Sequence, residues 1–246
     1  MTDVLARTWT FITALVYATL LPGQSQPGSQ AGDGREKALL KYVLENAENN
    51  PESVLKTIDK YAQKTWLMNI GDQKGLILEK SLISANPKTV LELGAYVGYS
   101  ATLIASKLEP GGKLISLEMS ELNASITRQV VDRAGLSDKV HVVTGIFSEK
   151  IEEVRKLLVE LGRKQFDFVF IDHDKNSYLS DFLILKELGL VGKGTILFAD
   201  NMRMPGSPKY RKYMNTHTDE YDTVETKTSF EYLTWLPDSV LVTTCK

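Results

Sequence analysis

The sequence predicts an α/β fold: a mostly parallel seven-stranded sheet with helices on both faces and an antiparallel edge strand near the C-terminus. Two observations carry this expectation. Short runs dense in β-branched and aromatic residues alternate with longer segments of helical spacing, the pattern of strands covered on both sides. The last two runs, residues 221–226 and 239–244, are joined by only a short connection, which suits an antiparallel pair.

Composition narrows the class. Residues 35–246 suffice for one domain with a sizeable core. A net charge of −2 offers no basic field for nucleic acid. The single cysteine, Cys245, excludes an intrachain disulfide and fits a reducing compartment. His141, His173 and His217 never approach zinc-ligand spacing. The N-terminus differs from the rest. Trp9 to Leu21 is an uncharged apolar run after Arg7, shorter than the ~20 residues of a simple membrane span. Residues 1–21 therefore read as a signal- or anchor-like segment, with membrane association expected through residues 8–21 and a cytoplasmic location otherwise. Residues 22–34, PGQSQPGSQAGDG, form a flexible linker with almost nothing to bury. A monomer is expected.

From Arg35 the pattern is helical, with Leu39, Tyr42, Val43 and Ala47 on one stripe. Asn50 followed by Pro51 restarts a helix, a capping residue before proline at the first position, and Val54, Ile58 and Tyr61 continue its buried face. WLMNIGDQKG is expected to interrupt, with helical spacing resuming from Leu76 to Leu82. TVLEL (89–93), KLISLEM (113–119) and KVHVVTG (139–145) are the first three strands. Ser148 is expected to cap the next helix, with Glu149 and Glu152 in its first turn and Ile151, Val154, Leu157, Leu158 and Leu161 as its stripe. FDFVFID (166–172) and GTILFAD (194–200) complete the parallel set.

In an open α/β sheet, ligands sit beyond the carboxyl ends of the strands. The first strand runs into Gly94, Ala95, Tyr96 and Gly98. Tyr96 stands at the middle glycine of G-x-G-x-x-G, which argues against a closely approached pyrophosphate; a turn required by geometry alone stays open. The second strand ends in Glu118 and Met119, a carboxylate placed for ribose hydroxyls and a thioether suited to an adenine face. The fourth and fifth end in Asp172 and in Asp200 with Asn201. If these strands are neighbours, three hard oxygen donors converge, a set that favours Mg²⁺. Either aspartate alone reads equally as a helix cap or loop end. Lys175 follows Asp172 by three residues, and beside a divalent cation its ammonium form would be disfavoured, which suits a general base. Glu231, taken alone, is an ordinary loop or strand glutamate.

Together, WLMNIGDQKG, VLELGAYVGYS, SLEMS, AGLSDKV, FIDHDKNSYLSD, GLVGKGT and FADNMRMPGSP, in that order, resemble the catechol O-methyltransferase family from about Arg35 to the C-terminus. The resemblance implies a Rossmann-like methyltransferase fold using S-adenosylmethionine and Mg²⁺. The activity it implies is methyl transfer to one hydroxyl of a small-molecule catechol, of catecholamine or catechol-oestrogen type. Ile70 and the Gly94–Tyr96 loop would line the methionine end of the cofactor, with Glu92 and Ser100 meeting its charged groups. Glu118 would bind the ribose, Met119 and His173 would border the adenine, and Asp172 would face both cofactor and metal. Asp172, Asp200 and Asn201 would ligate Mg²⁺, with Asn201 also at the substrate. Lys175 would act as base, and Glu231 would accept a hydrogen bond from the second catechol hydroxyl. Trp66, Met68 and Pro205 would wall the substrate slot.

Two departures stand out. Asp174 occupies a place where the family has a bulky apolar residue beside the substrate, which predicts tolerance of polar or cationic ring substituents. Phe147 and Ser148 stand where smaller or amide residues meet the adenine, which predicts shifted cofactor packing. A methyltransferase for another vicinal-diol phenol is the alternative enzyme. A non-catalytic binding or scaffold protein is the other alternative, against which the joint presence of Asp172, Asp200, Asn201, Lys175 and Glu231 argues.

Overall fold

Alternate residues along the central strands enter two different hydrophobic cores, and this dictates the layering. The computed structural model describes residues 33–246. Its strands are β1 (Thr89–Leu93), β2 (Lys113–Glu118), β3 (Val140–Thr144), β4 (Phe168–Ile171), β5 (Ile196–Ala199), β6 (Tyr221–Phe230) and β7 (Leu233–Cys245). They form one sheet in the order β3-β2-β1-β4-β5-β7-β6. The first five strands are parallel, and β7 runs antiparallel to both β5 and β6. The antiparallel strand thus lies one place in from the edge.

The helices are α1 (Arg35–Asn46), α2 (Pro51–Ala62), α3 (Gly71–Ala85), α4 (Tyr99–Lys107), α5 (Glu121–Arg133), α6 (Phe147–Glu160), α7 (Tyr178–Glu187) and α8 (Pro208–Thr216). Phe168 and Phe170 of β4 and Phe198 of β5 join one core with Val54 and Ile58 of α2, Leu78 of α3 and Val130 of α5. Val169 and Ile171 of β4 and Leu197 of β5 join the other with Leu158 of α6, Phe182 of α7 and Tyr210 of α8. Period-two burial with apolar residues on both sides is what a sheet covered on both faces requires. Each large apolar side chain buried this way contributes about 1.5–3 kcal/mol before conformational entropy is counted.

Asn50 caps α2, its Oδ1 accepting the Ser53 amide at 2.8 Å, with Pro51 in the first turn. Two local expectations are corrected. The helix expected from Leu76 begins at Gly71, so GDQKG forms its opening turns. Two glycines and three polar or charged residues disguise the segment, but packing overrides propensity: Gly71, Lys74, Gly75, Leu78 and Leu82 form a buried stripe. Ser148 does not cap α6. The cap position is Ile146, and Ser148 lies inside the first turn. Of the expected α6 stripe, Val154 and Leu158 are fully buried, Ile151 and Leu157 partly, and Leu161 is 36% exposed beyond the helix end.

The N-terminal segment 1–21 and all but Asp33 and Gly34 of the linker lie outside the described residues. Among the described residues no helix is long and apolar enough to cross a membrane. The order of strands reverses between β1 and β4, and there the carboxyl ends of the sheet open a crevice.

Candidate functional site

A cleft of about 1860 Å³ lies along the carboxyl ends of β1, β2, β4 and β5. At the β1 end, Gly94 turns with φ +98°, and a Cβ there would stand 2.5 Å from the Asp172 carbonyl oxygen. Only glycine allows the β1 and β4 loops to approach this closely. Tyr96 follows in the left-handed region at φ +48°. It is held there by three bonds: its amide donates to Glu118 Oε2 at 2.8 Å, its carbonyl accepts from Thr127 Oγ1 at 3.0 Å, and its hydroxyl donates to Glu36 Oε1 at 2.8 Å. Glu118 also accepts from the Ser120 amide at 2.9 Å, so this carboxylate organises the loop as well as lining the cleft. Ser100 and the 62%-exposed Met119 line the same end.

Two residues expected at the cofactor lie beneath this surface. Ile70 is 1% exposed and packs in the α1–α5 core. Glu92 is fully buried, takes a hydrogen bond from the Ser116 hydroxyl on Oε2, and has no partner for Oε1 among the described residues. Burial pushes its carboxyl up to about 7, against the lowering influence of Ser100 and Ser116. An acceptor buried without a donor is what a ligand cation or N–H group reaching through this floor would satisfy.

Parallel register places Ile171 beside Ala199, so Asp172 and Asp200 follow at adjacent strand ends on one rim. Lys175 Nζ donates to Asp172 Oδ1 at 2.7 Å and to the Tyr178 hydroxyl at 2.6 Å. Tyr178 in turn donates to the Asp200 carbonyl at 3.2 Å. Burial, with Asp172 and Asp200 nearby, holds the Tyr178 phenol well above its ordinary pKa, so it remains a neutral prop for the lysine. Behind this rim lies a residue that the sequence reading missed. Lys74, 1% exposed, donates to Asp200 Oδ2 at 2.8 Å, Glu231 Oε1 at 2.6 Å and Asp238 Oδ2 at 3.1 Å. Burial alone would depress its pKa, but these three carboxylates outweigh burial and hold it well above normal. Burial and neighbouring carboxylates push Asp200 and Glu231 upward, with Lys74 opposing. Asp238, also missed, accepts from Asn201 Nδ2 at 3.0 Å and from the amides of Arg203 and Met204, both at 3.1 Å.

Among the described residues no group of three or more His, Cys, Asp or Glu side chains is placed to hold a metal. The candidate set is two carboxylates and an amide. Its donors still fit a divalent cation. Asn201 Nδ2 is committed to Glu231 Oε1 at 2.7 Å and to Asp238 Oδ2 at 3.0 Å, so its carbonyl oxygen is the atom it could offer to a cation. Formally, among the described residues, Asp172, Asp200, Glu231 and Asp238 pair with Lys74 and Lys175. In the cation-free site the raised Asp200 and Glu231 carboxyls take up part of this surplus of two as protons, and one hard dication on oxygen ligands would fill the same deficit.

Glu231 Oε2 is buried and without a donor among the described residues, while Oε1 is held by Lys74 and Asn201. Beside it the slot is apolar: Trp66 stacks on Phe230 at 6.0 Å and 9°, and Phe230 packs with Met204 and Leu236. Met68 and Pro205 also line the cleft. At the opposite end His173 stacks on Tyr178 at 5.2 Å, and its Nε2 is 2.8 Å from Asp181 Oδ2. Phe147 and Ser148 line that end too. Asp174 is exposed at the rim, and its carboxylate accepts from Asn176 and Ser177 of its own turn.

The O-methyltransferase family model matches residues 45–216. A probable O-methyltransferase of Mycobacterium tuberculosis is 42% identical over 216 residues, 86% of this chain and 92% of that one. The catechol O-methyltransferase of Mus musculus is 42% identical over 185 residues, 74% of this chain and 69% of that one. In fold, the chain is similar to the Bacillus cereus O-methyltransferase solved in complex with SAH, with a TM-score of 0.64 at 23% identity over 98% of this chain and 99% of that one. Family match, relatives and architecture agree, and the chain belongs to the S-adenosylmethionine-dependent O-methyltransferases, in the group of catechol O-methyltransferase.

Proposed function

We propose that the chain methylates one hydroxyl of a catechol, with Mg²⁺ held by Asp172, Asp200 and Asn201 and with Lys175 as general base. The observation that carries this reading is the inner end of the cleft, where a lysine, two strand-end aspartates and a glutamate with a free buried oxygen meet beside an aromatic slot. S-adenosylmethionine supplies an electrophilic methyl group, and Mg²⁺ supplies a positive charge that favours the ionised phenol.

The chain's residues then have distinct tasks. Trp66 and Phe230 shape an apolar slot for a flat ring. Glu231 Oε2 accepts a hydrogen bond from the hydroxyl that is not methylated, and so fixes which way the ring faces. Lys175, in its neutral form, takes the proton from the other hydroxyl. Its position is set by Asp172 and Tyr178, 2.7 and 2.6 Å away. Holding the nucleophile in line with the methyl group is the larger part of such catalysis, and a fixed base adds to it.

A catechol screen with labelled methyl donor, with Mg²⁺ and with a chelator, tests this reading. Vicinal diols should accept methyl only when the metal is present, and mono-phenols should accept little. Lys175→Ala should lower turnover by about 10²–10⁴-fold while cofactor affinity changes by less than about twofold. Equal methylation of mono-phenols, or indifference to the chelator, would overturn it.

A further inference from the structure

We infer that the substrate is a catechol whose side chain carries a carboxylate; this deepens the catechol reading above and rests on it. The outer wall of the slot is cationic. Pro208, Arg211, Lys212 and Asn215 line the cleft and fall at i, i+3, i+4 and i+7 of α8, which makes them one face of that helix. Arg203 lines the cleft from the loop between β5 and α8. Its backbone is pinned at the mouth, because the amides of Arg203 and Met204 both donate to the fully buried Asp238.

These cations are not equally available. Arg211 is committed, with Nη2 2.5 Å from Glu225 Oε2, and Glu225 is itself held by Ser239 Oγ at 2.7 Å. Arg203 and Lys212 are exposed, and neither forms an ion pair among the described residues. Among the carboxylates that line the cleft, Asp174 is the exposed one. It is engaged in its own turn, with Oδ1 accepting from the Asn176 amide at 3.2 Å and Nδ2 at 3.1 Å, and Oδ2 from Ser177 Oγ at 3.3 Å. These donors are neutral, so Asp174 keeps its charge; the expected preference for cationic substituents counted this carboxylate alone, and Arg203 and Lys212 in the same cleft lining outnumber it. A ring held by its hydroxyls at the acidic inner end must send its side chain outward. The exposed charges of the cleft lining are two cations without an ion pair among the described residues, Arg203 and Lys212, and one carboxylate, Asp174. A carboxylate tail is attracted and an ammonium tail repelled.

The test compares kcat/KM for dihydrocaffeate, dopamine and neutral methylcatechol on the full chain. Each exposed pair changes the ratio by up to about fivefold, so dihydrocaffeate should exceed dopamine by about tenfold, less at high salt. The exposed double variant Arg203→Glu with Lys212→Glu should bring that ratio below one, and the milder pair Arg203→Gln with Lys212→Gln should bring it near one. Dopamine equal to or better than dihydrocaffeate in the parent enzyme, or a ratio unmoved in both variants, overturns the inference and leaves the catechol reading standing. Failure of all three catechols overturns the catechol reading and the inference with it.

Discussion

Glu92 ends β1's buried face with no exposure, one oxygen bonded to Ser116 and the other bonded to nothing among the described residues. Burial raises its carboxyl from 4.5 to about 7. The fold therefore favours the protonated form. Stability from that form is fully present below the unfolded value of 4.5 and is lost as pH rises through about 7. At about 1.4 kcal/mol per pH unit, the loss approaches about 3 kcal/mol. So strained a carboxylate makes sense where a ligand cation completes it, and the methionine end of the cofactor carries an ammonium group. Glu92→Gln should therefore stabilise the cofactor-free protein by about 1–3 kcal/mol at pH 8 and hardly at all at pH 5, while S-adenosylmethionine affinity falls. Denaturant unfolding at the two pH values, with a cofactor titration, reads both. A variant less stable than the parent at pH 8 would show that Glu92 supports the empty fold itself.

At the scale of elements, Lys74 fastens α3 to the end of β5, to the β6–β7 connection and to β7 through three carboxylates. Lys74→Met removes the charge but keeps most of the stem, leaving those carboxylates buried without their cation. Breaking a buried pair from one side costs about 3–5 kcal/mol. The loss should be greatest at high pH and shrink as the carboxylates protonate, which urea unfolding between pH 5.5 and 8.5 would follow; a pH-independent loss would mean that Lys74 acts by packing. This residue also marks the limit of what the chain reveals on its own. The strands β1, β2, β4 and β5 are legible because both faces are buried, so nearly every position is apolar, and the edge strand β3 is legible from its three valines. Asp172 and Asp200 are legible because those apolar runs stop at them. Lys74 lies among Gly71, Asp72, Gln73 and Gly75, which hide the helix, and its partners are 126, 157 and 164 residues away. Only tertiary packing brings them together. The hairpin extends beyond the two runs visible in the sequence for a related reason: β6 is an edge strand, and its end, Lys227 to Ser229, is polar.

For the molecule as a whole, the same charge surplus links the site to stability. Asp172 and Asp200 come from neighbouring strands, Glu231 from the turn between β6 and β7, and Asp238 from β7, while Lys74 comes from α3 on one face. The four carboxylates converge against two lysines, so the cation-free protein relieves their repulsion only by raising the Asp200 and Glu231 carboxyls toward the protonated form. A ligand that binds only the folded state stabilises it by mass action, about 2.7 kcal/mol at one hundred times its Kd. For a domain of this size that corresponds to a rise in Tm of about 5–10 °C. Thermal unfolding with Mg²⁺ and without cofactor or substrate should show that rise, and excess chelator should abolish it. Asp200→Asn should remove most of the Mg²⁺ response, because it removes a proposed ligand and part of the surplus charge together. Lys212→Gln, at the outer rim, should leave the response intact. A Tm indifferent to Mg²⁺ in the parent protein, or a response that survives in Asp200→Asn, would mean that the acidic cluster is balanced by Lys74 and Lys175 alone and that the metal is held elsewhere or not at all.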